Sequence, residues 1–234
     1  MGVDGAVRPP AYQTLAEGLR EEITSGRLRP GERLPTEPQL CARSGVSRST
    51  VREALRLLAS QHLIVTTRGV TGGSFVAHPS PENLSDTLST GLNLLLNTST
   101  AGLCDLMEVR ESLEVPAAAQ AARRRGEEHL ADLEAALFDP ELADVPAMLA
   151  AHRAFHAALV AATGNPLFEL LSRPLYQVSN EREVAATAPA GFWRQVDTDH
   201  RELLRCVKAQ DAEGATKVAR EHIRFIRVSL APDS

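Results

Sequence analysis

The chain has 234 residues, of which 43% are hydrophobic and 24% are charged, a composition typical of globular proteins and not of disordered or fibrous ones. It contains no run of about 18 consecutive apolar residues, which argues against a membrane span and a membrane partner. The three cysteines, Cys41, Cys104 and Cys206, form no CxxC pair, and the first ten residues contain no apolar stretch of a signal peptide. We therefore expect reduced thiols and a cytoplasmic location.

The charge is distributed unevenly along the chain. Residues 1–78 contain ten arginines, no lysine and seven acidic residues, a net charge of +3, whereas residues 79–234 carry −8. Such an asymmetry indicates a basic module joined to an acidic one, and only the basic module is expected to attract phosphates.

The first 78 residues predict three helices followed by a β-hairpin. Leu15, Leu19 and Ile23 recur at a spacing of four, and Ser47 stands where it would cap the third helix. A glycine-rich turn, Arg68 to Gly73, separates the two strands. The predicted elements are helices at Ala11–Ser25, Glu37–Ser44 and Arg48–Gln61, and strands at Leu63–Thr67 and Ser74–Ala77. This order is that of a winged helix-turn-helix.

Two prolines mark a boundary in the segment His78-Pro79-Ser80-Pro81. We predict a DNA-binding domain at residues 9–78, a linker at 79–83 and a second domain at 84–231. No strand pattern follows the boundary. Six or seven helices joined by short loops predict an antiparallel all-α bundle, so the fold class is mostly α. The helical patterns cover Leu84–Asn97, Leu103–Arg125, Glu127–Phe138, Val145–Thr163, Pro166–Ala185, Phe192–Ala209 and Asp211–Leu230.

The third helix has the features of a recognition helix. Arg48, Ser49 and Arg52 face outward when Val51 and Leu55 face the core. Arginine forks onto guanine or phosphate, and hydroxyls bind phosphate oxygens or bases. Arginines on a helix are often only a solvated face. Here the cap, the turn and the hairpin occur in the right order, which favours DNA binding.

These segments resemble the winged-helix domain of the GntR family of bacterial repressors. The resemblance rests on Gly31 to Glu37, Gly45 to Leu55 and Gly69 to Val76, and it covers nearly all of residues 11–77. Pro38 stands where the family usually has a DNA-contacting arginine, so that contact is expected to be missing. The resemblance implies DNA contacts from Arg48, Ser49, Thr50 and Arg52 on the recognition helix, and from Arg68 and Gly69 in the wing.

Four histidines in the acidic part have suggestive positions. His152 and His156 are four residues apart on one predicted helix, and His200 and His222 lie on two later helices. Antiparallel helices can bring such residues to one interior point, where imidazole suits zinc, nickel, copper or iron. By spacing alone, a surface or hydrogen-bonding role is as common as a metal site.

The second half resembles the FCD ligand-binding domain of the FadR subfamily. The resemblance rests on Met107 to Glu114, on His152 to His156 followed by Thr163 to Pro166, and on His200 and His222. Metal-binding members hold a divalent cation with an aspartate and three histidines, and His152 occupies the aspartate position here. The resemblance therefore implies a metal site of His152, His156, His200 and His222. Zinc is the preferred ion and nickel the alternative, unless only three of the four bind.

In such domains the metal commonly binds a carboxylate effector with an arginine nearby. Arg110 matches the family arginine and is our candidate for the effector-binding residue. The alternative is that Arg110 forms a buried salt bridge with Glu111 or Glu114.

The sequence as a whole predicts a transcriptional regulator, with repression favoured, that binds a palindromic double-stranded operator as a homodimer and responds to a small carboxylate. A metal-dependent enzyme is the first alternative. Arg153, Ala154 and Phe155 between the paired histidines supply no general base, however, and an enzyme needs no basic module. A metal-free regulator with an apolar effector is the second alternative.

Overall fold

A computed structural model describes residues 9–69, 72–78, 80–177 and 188–230. Within these residues the chain forms ten helices and one two-stranded sheet, which confirms the mostly helical fold class. The chain divides into two compact units between Ser80 and Pro81, inside the predicted linker. None of the described helices combines the length and apolarity needed to span a bilayer.

The first unit contains three helices and an antiparallel hairpin, and the predicted bounds agree with the observed ones to within one residue. The elements are α1 (Ala11–Thr24), α2 (Glu37–Ser44), α3 (Arg48–Ser60), β1 (Ile64–Thr67) and β2 (Gly73–Val76). Ile64 pairs with Val76 and Thr67 with Gly73. Each helix contributes apolar residues to one core, in which Leu19, Leu40, Val51, Leu58 and Ile64 are buried.

Local signals determine where α2 ends and where α3 begins. Gly45 adopts φ +70°, which favours glycine and ends α2. Ser47 then caps α3 by accepting a hydrogen bond from the Thr50 amide at 3.2 Å. The segment before α2 also pairs with the hairpin, since the Leu34 amide donates to the Ser74 carbonyl at 2.8 Å.

The second unit contains seven helices within its described residues. They are α4 (Pro81–Asn97), α5 (Leu103–Arg124), α6 (Glu127–Ala135), α7 (Val145–Ala161), α8 (Pro166–Gln177), α9 (Phe192–Lys208) and α10 (Ala212–Leu230). Helix α5 is central and packs on α7, α8, α9 and α10. The last part of the helix predicted at Pro166–Ala185 lies outside the described residues.

Two helix bounds of the second unit differ from the sequence prediction by three residues. Helix α4 begins at Pro81 and not at Leu84, because proline is tolerated at the first helical position, where its missing N–H is not needed. Helix α6 ends at Ala135 and not at Phe138, because the Phe138 ring packs edge-on against Trp193 at 5.9 Å between ring centroids.

Two apolar clusters fill the centre of the second unit. The full burial of a leucine, isoleucine, phenylalanine or methionine side chain contributes about 2 kcal/mol to folding. One cluster includes Phe155, Leu203 and Ala219, and the other includes Met148, Val196 and Ile226. Each cluster therefore includes residues from all three of α7, α9 and α10. His152, His200 and His222 lie between these cluster residues in the sequence of the same three helices, and His156 directly follows Phe155. The four histidines therefore add buried polar groups to the interior of an apolar bundle.

Candidate nucleic-acid interface and candidate metal centre

The amino-terminal turn of α3 presents the predicted DNA-binding side chains to solvent. Arg48, Ser49 and Arg52 are exposed, whereas Thr50 is half-buried and its hydroxyl lies 2.8 Å from that of Ser47. The capped end of a helix also carries free N–H groups and a partial positive charge, which favour phosphate. The exposed side chains and the helix end therefore offer one surface suited to a nucleic-acid backbone.

Glu37 and Pro38 modify this surface. The Arg52 Nε lies 3.3 Å from the Glu37 carboxylate, in an ion pair whose two side chains are partly exposed. Pro38 is exposed in the first turn of α2 and offers no polar side-chain atom. A nucleic-acid phosphate would thus compete with Glu37 for the Arg52 side chain. The side chain of Pro38 could not donate a hydrogen bond to that phosphate.

The wing places Arg68 and Gly69 in exposed positions after β1. Gly69 adopts φ +113°, a conformation that side chains rarely tolerate. Arg33 braces the turn, since its Nη2 donates to the Gly72 carbonyl at 2.6 Å and its guanidinium lies over the Phe75 ring. The sequence did not predict this role of Arg33, because the contact joins residues 39 apart.

The second unit brings the four predicted histidines together. His152 and His156 come from α7, His200 from α9 and His222 from α10, and all four are buried. One ring nitrogen of each lies within 4.8 Å of the corresponding nitrogen of every other. The fourfold cluster expected from spacing and resemblance is therefore formed by the fold.

The donor set fits a tetrahedral transition metal. The His152 Nδ1 lies 3.2 Å from the His200 Nε2. Two ligands about 2.0–2.1 Å from one zinc ion in tetrahedral geometry lie about 3.3 Å apart, so this separation suits a shared ion. Among the described residues, three buried ring nitrogens of the cluster face neither a hydrogen-bond partner nor a carboxylate: His156 Nε2, His200 Nδ1 and His222 Nε2. Orphaned buried nitrogens are costly without a ligand.

Two carboxylates border the histidine cluster. The Glu114 Oε2 lies 2.5 Å from the His156 Nδ1, and the Asp199 Oδ2 lies 3.0 Å from the His222 Nδ1. Glu114 is fully buried and also accepts two bonds from Arg110, from Nε at 2.6 Å and from Nη2 at 3.2 Å. The cluster is thus a set of imidazoles supported from outside by negative charge.

The environment holds these groups in defined charge states. Burial lowers the pKa of His152 and of His200 well below the ordinary value, and it lowers the pKa of His156 to about 4 although Glu114 opposes the shift. Burial by itself would raise the pKa of Glu114, but Arg110 and His156 outweigh it and hold that pKa below its usual range. At neutral pH these three histidines are therefore neutral, as metal ligands must be.

Arg110 has an internal partner, as the alternative interpretation anticipated. Its side chain is buried and forms a two-point ion pair with Glu114, one helical turn away. The two bonds use Nε and Nη2 and leave the Nη1 group for a further acceptor. Its role as an effector-binding residue stays a prediction.

Sequence reasoning missed Glu114 and Asp199 as parts of the site. Glu114 had been considered only as a partner of Arg110, although its spacing of four from Arg110 was a usable signal. Asp199 directly precedes His200, and neighbouring residues on a helix point in different directions. Its partner is His222 on the next helix, and only the packing of α9 on α10 reveals that pair.

Comparison with known proteins gives two family matches. The family described as bacterial regulatory proteins, gntR family, matches residues 11–76, and the FCD domain matches residues 105–225. A protein of Escherichia coli (strain K12), provisionally named as the L-lactate dehydrogenase operon regulatory protein, is 30% identical over 92% of this chain and 84% of its own. The Glc operon transcriptional activator of the same strain is 28% identical over 95% and 90%.

A solved structure, Streptococcus agalactiae GntR, resembles the fold. It has a TM-score of 0.53 and 22% sequence identity, and the match covers 93% of this chain and 100% of that one. At this identity the likeness supports the fold alone.

Proposed function

Since the chain belongs to the GntR family of bacterial regulatory proteins and its second half is an FCD domain, we propose that it is a transcriptional repressor controlled by a carboxylate bound at a metal ion. The observation that carries the proposal is the buried cluster of four histidines with unpaired nitrogens. The matching families and relatives are transcription regulators, so the chain is a DNA-binding regulator and not an enzyme.

We propose that α3 enters the major groove and the wing contacts the neighbouring backbone. The exposed Arg48, Ser49 and Arg52, with Thr50 beside the helix cap, would bind bases and phosphates. Arg68 and Gly69 would approach the DNA from the hairpin. The missing contact at Pro38 would weaken binding or change the preferred operator.

A homodimer would read a palindromic operator with one recognition helix per half-site. Helices α4 and α8 pack together, and both expose leucines. The only charged residues of α4 are Glu82 and Asp86, near its start, so most of this helix carries no charge to repel an identical copy. These leucines, Leu84, Leu88, Leu167 and Leu171, are our candidates for the dimer surface.

The ion would supply positive charge inside an apolar bundle, where it attracts an anionic effector. An all-nitrogen set favours zinc, with nickel as the alternative, over manganese. The Nη1 group of Arg110 would donate to the same carboxylate. One relative is named for an operon of L-lactate dehydrogenase, whose substrate is a hydroxycarboxylate, and this supports the effector class. Binding of the effector would release DNA in the cytoplasm by favouring one state of the dimer.

Metal analysis and DNA binding test the proposal together. Protein purified without a metal-affinity column should contain zinc near one equivalent per chain, or should take it up on addition. L-Lactate should weaken the binding of the zinc-loaded protein to a duplex selected from a random pool by about 5- to 150-fold, the usual range of allosteric coupling.

Lactamide, which has no charge, is the matched control and should have no effect. Less than about 0.2 equivalents of any transition metal, unchanged by added zinc, would exclude the metal site and favour the metal-free alternative. Equal effects of lactate and lactamide would exclude the carboxylate.

A further inference from the structure

The four histidines fall into two pairs with different surroundings. His156 and His222 each have a carboxylate oxygen at Nδ1, from Glu114 at 2.5 Å and from Asp199 at 3.0 Å. Within the part of the chain that the structure describes, His152 and His200 have no carboxylate at Nδ1, and the His152 Nδ1 faces the His200 Nε2 at 3.2 Å. The cluster is therefore asymmetric in how its rings are held.

The carboxylates determine where the proton sits on the first pair. An ionised carboxylate only accepts hydrogen bonds, so the neighbouring Nδ1 must carry the proton and the neutral ring must keep its lone pair on Nε2. The Nε2 atoms of His156 and His222 are both buried, and neither has a hydrogen-bond partner among the described residues. In both rings, the lone pair is therefore on Nε2, the nitrogen that is available to bind a cation.

Ring packing orients His200, which has no carboxylate neighbour among the described residues. The Phe155 ring stacks on the His200 ring with 4.1 Å between centroids and 6° between planes. His152 stacks on His200 as well, at 5.2 Å and 10°. Stacking fixes the plane of a ring but does not decide which nitrogen carries the proton. The second pair can therefore adopt either tautomer before a cation binds.

Both carboxylate oxygens of Glu114 and both of Asp199 contact groups of this chain. In Glu114, Oε1 accepts from the Arg110 Nε, and Oε2 accepts from the Arg110 Nη2 and lies next to the His156 Nδ1. Asp199 accepts from the Gln195 side chain at 2.8 Å through Oδ1 and faces His222 through Oδ2. A carboxylate fully used in this way supports a ligand and does not replace one.

We propose that Glu114 and Asp199 are positioning residues, which hold His156 and His222 in the Nδ1–H tautomer and so present their Nε2 atoms to the cation. This inference rests on the proposed metal site. Partners of this kind commonly change metal affinity by about 10- to 100-fold when they are removed. Arg110 has a supporting part, because it keeps the buried Glu114 charged and oriented.

Asp199 offers the cleaner variant, since it is partly exposed and its removal strands no buried arginine. In Asp199→Ala, zinc affinity measured against a chromophoric chelator should fall about 10- to 100-fold. Asp199→Asn keeps an oxygen that accepts from Nδ1 and should stay within about 3-fold of the wild type. Glu202→Ala removes an exposed acid from the same helix and is the matched control, also within about 3-fold.

The tautomers are measured directly in metal-free protein with 15N-labelled histidine at about pH 8, above the ordinary histidine pKa of about 6.5. Wild-type His156 and His222 should give the Nδ1–H pattern, and Asp199→Ala should change the pattern of His222 alone. The His156 signal tests Glu114 without a variant that would leave Arg110 buried and unpaired.

Two results would overturn the inference while leaving the metal site intact: zinc binding by Asp199→Ala that equals the wild type, or an Nε2–H pattern for His156 or His222. If the wild type binds no zinc, the proposed metal function fails instead. The spectra of the metal-free protein still decide the tautomers in that case.

Discussion

The candidate DNA interface and the candidate metal centre are built in opposite ways. Four of the six predicted DNA-binding residues lie within the five positions Arg48–Arg52, at the start of one helix. The candidate metal centre combines His152, His156, His200 and His222 from three helices with carboxylates from α5 and α9. A contiguous interface depends on local signals such as a cap and a turn. A dispersed one depends on how helices pack, so a single substitution can affect several of its members.

The largest effect is expected at the DNA interface. The double variant Arg48→Ala, Arg52→Ala should bind the selected duplex about 1,000-fold more weakly, because each arginine contact contributes about 1–3 kcal/mol. Arg56→Ala, an exposed arginine further along the same helix, is the control and should change affinity less than about 3-fold. Zinc binding should not change in either variant. Retained affinity of the double variant at matched salt would contradict the assignment of α3.

The next effect concerns the metal centre. His200→Ala should weaken zinc binding by about 100-fold or more, since four ligands share the binding free energy of such sites. Calorimetric titration of metal-free protein measures the change. His78→Gln alters an exposed histidine of the first unit and should leave the titration as it is in the wild type. Equal zinc affinity in His200→Ala would remove His200 from the ligand set.

The stability of the second unit should depend on pH in the metal-free protein. The folded pKa of His156 is about 4, below the unfolded value of about 6.5, so its stabilising contribution is full above 6.5 and is lost as the pH falls towards 4. Between pH 7.5 and 5.5 the free energy of unfolding should fall by about 1–3 kcal/mol, since each such histidine contributes up to about 1.4 kcal/mol per pH unit. His152 and His200 act in the same direction.

The single tryptophan, Trp193, belongs to the second unit, and its ring centroid lies 6.5 Å from that of His152, so its fluorescence follows this unit alone. In His156→Gln the dependence on pH should be shallower. Equal urea midpoints at both pH values would contradict neutral buried histidines.

The smallest effect, on the free energy of unfolding, is expected at two helix caps, one in each unit. Ser47 caps α3, and Asp144 caps α7 by accepting from the Ala147 amide at 2.9 Å. Replacement of either by alanine should cost about 1 kcal/mol. Asp144→Ala should shift the Trp193 transition, whereas Ser47→Ala should shift only the circular dichroism of the first unit. Ser49→Ala is the control, within about 0.5 kcal/mol. A shift of the Trp193 transition in Ser47→Ala would show that the units unfold together.

Prediction from sequence succeeded where the signal is local. The bounds of α1, α2 and α3 are correct to within one residue, because Gly45 and Ser47 stop and start helices by their own backbone and side-chain chemistry. Helix α6 was predicted three residues too long, because a helical apolar spacing does not reveal that Phe138 leaves the helix to pack on Trp193. The contact of Arg33 with the Gly72 carbonyl was missed because it too joins residues that are distant in the sequence.

The sequence by itself determined the order of the two domains and the bounds of α3, since residue type and local spacing carry that information, and the resemblance to a known family pointed to the four histidines. Only the tertiary structure decided that Glu114 and not Glu111 pairs with Arg110, that Glu114 also reaches His156, and that Asp199 faces His222. The physical reason is that a spacing of four identifies neighbours on one helix. Contacts between helices depend on packing, which no single segment of the chain encodes.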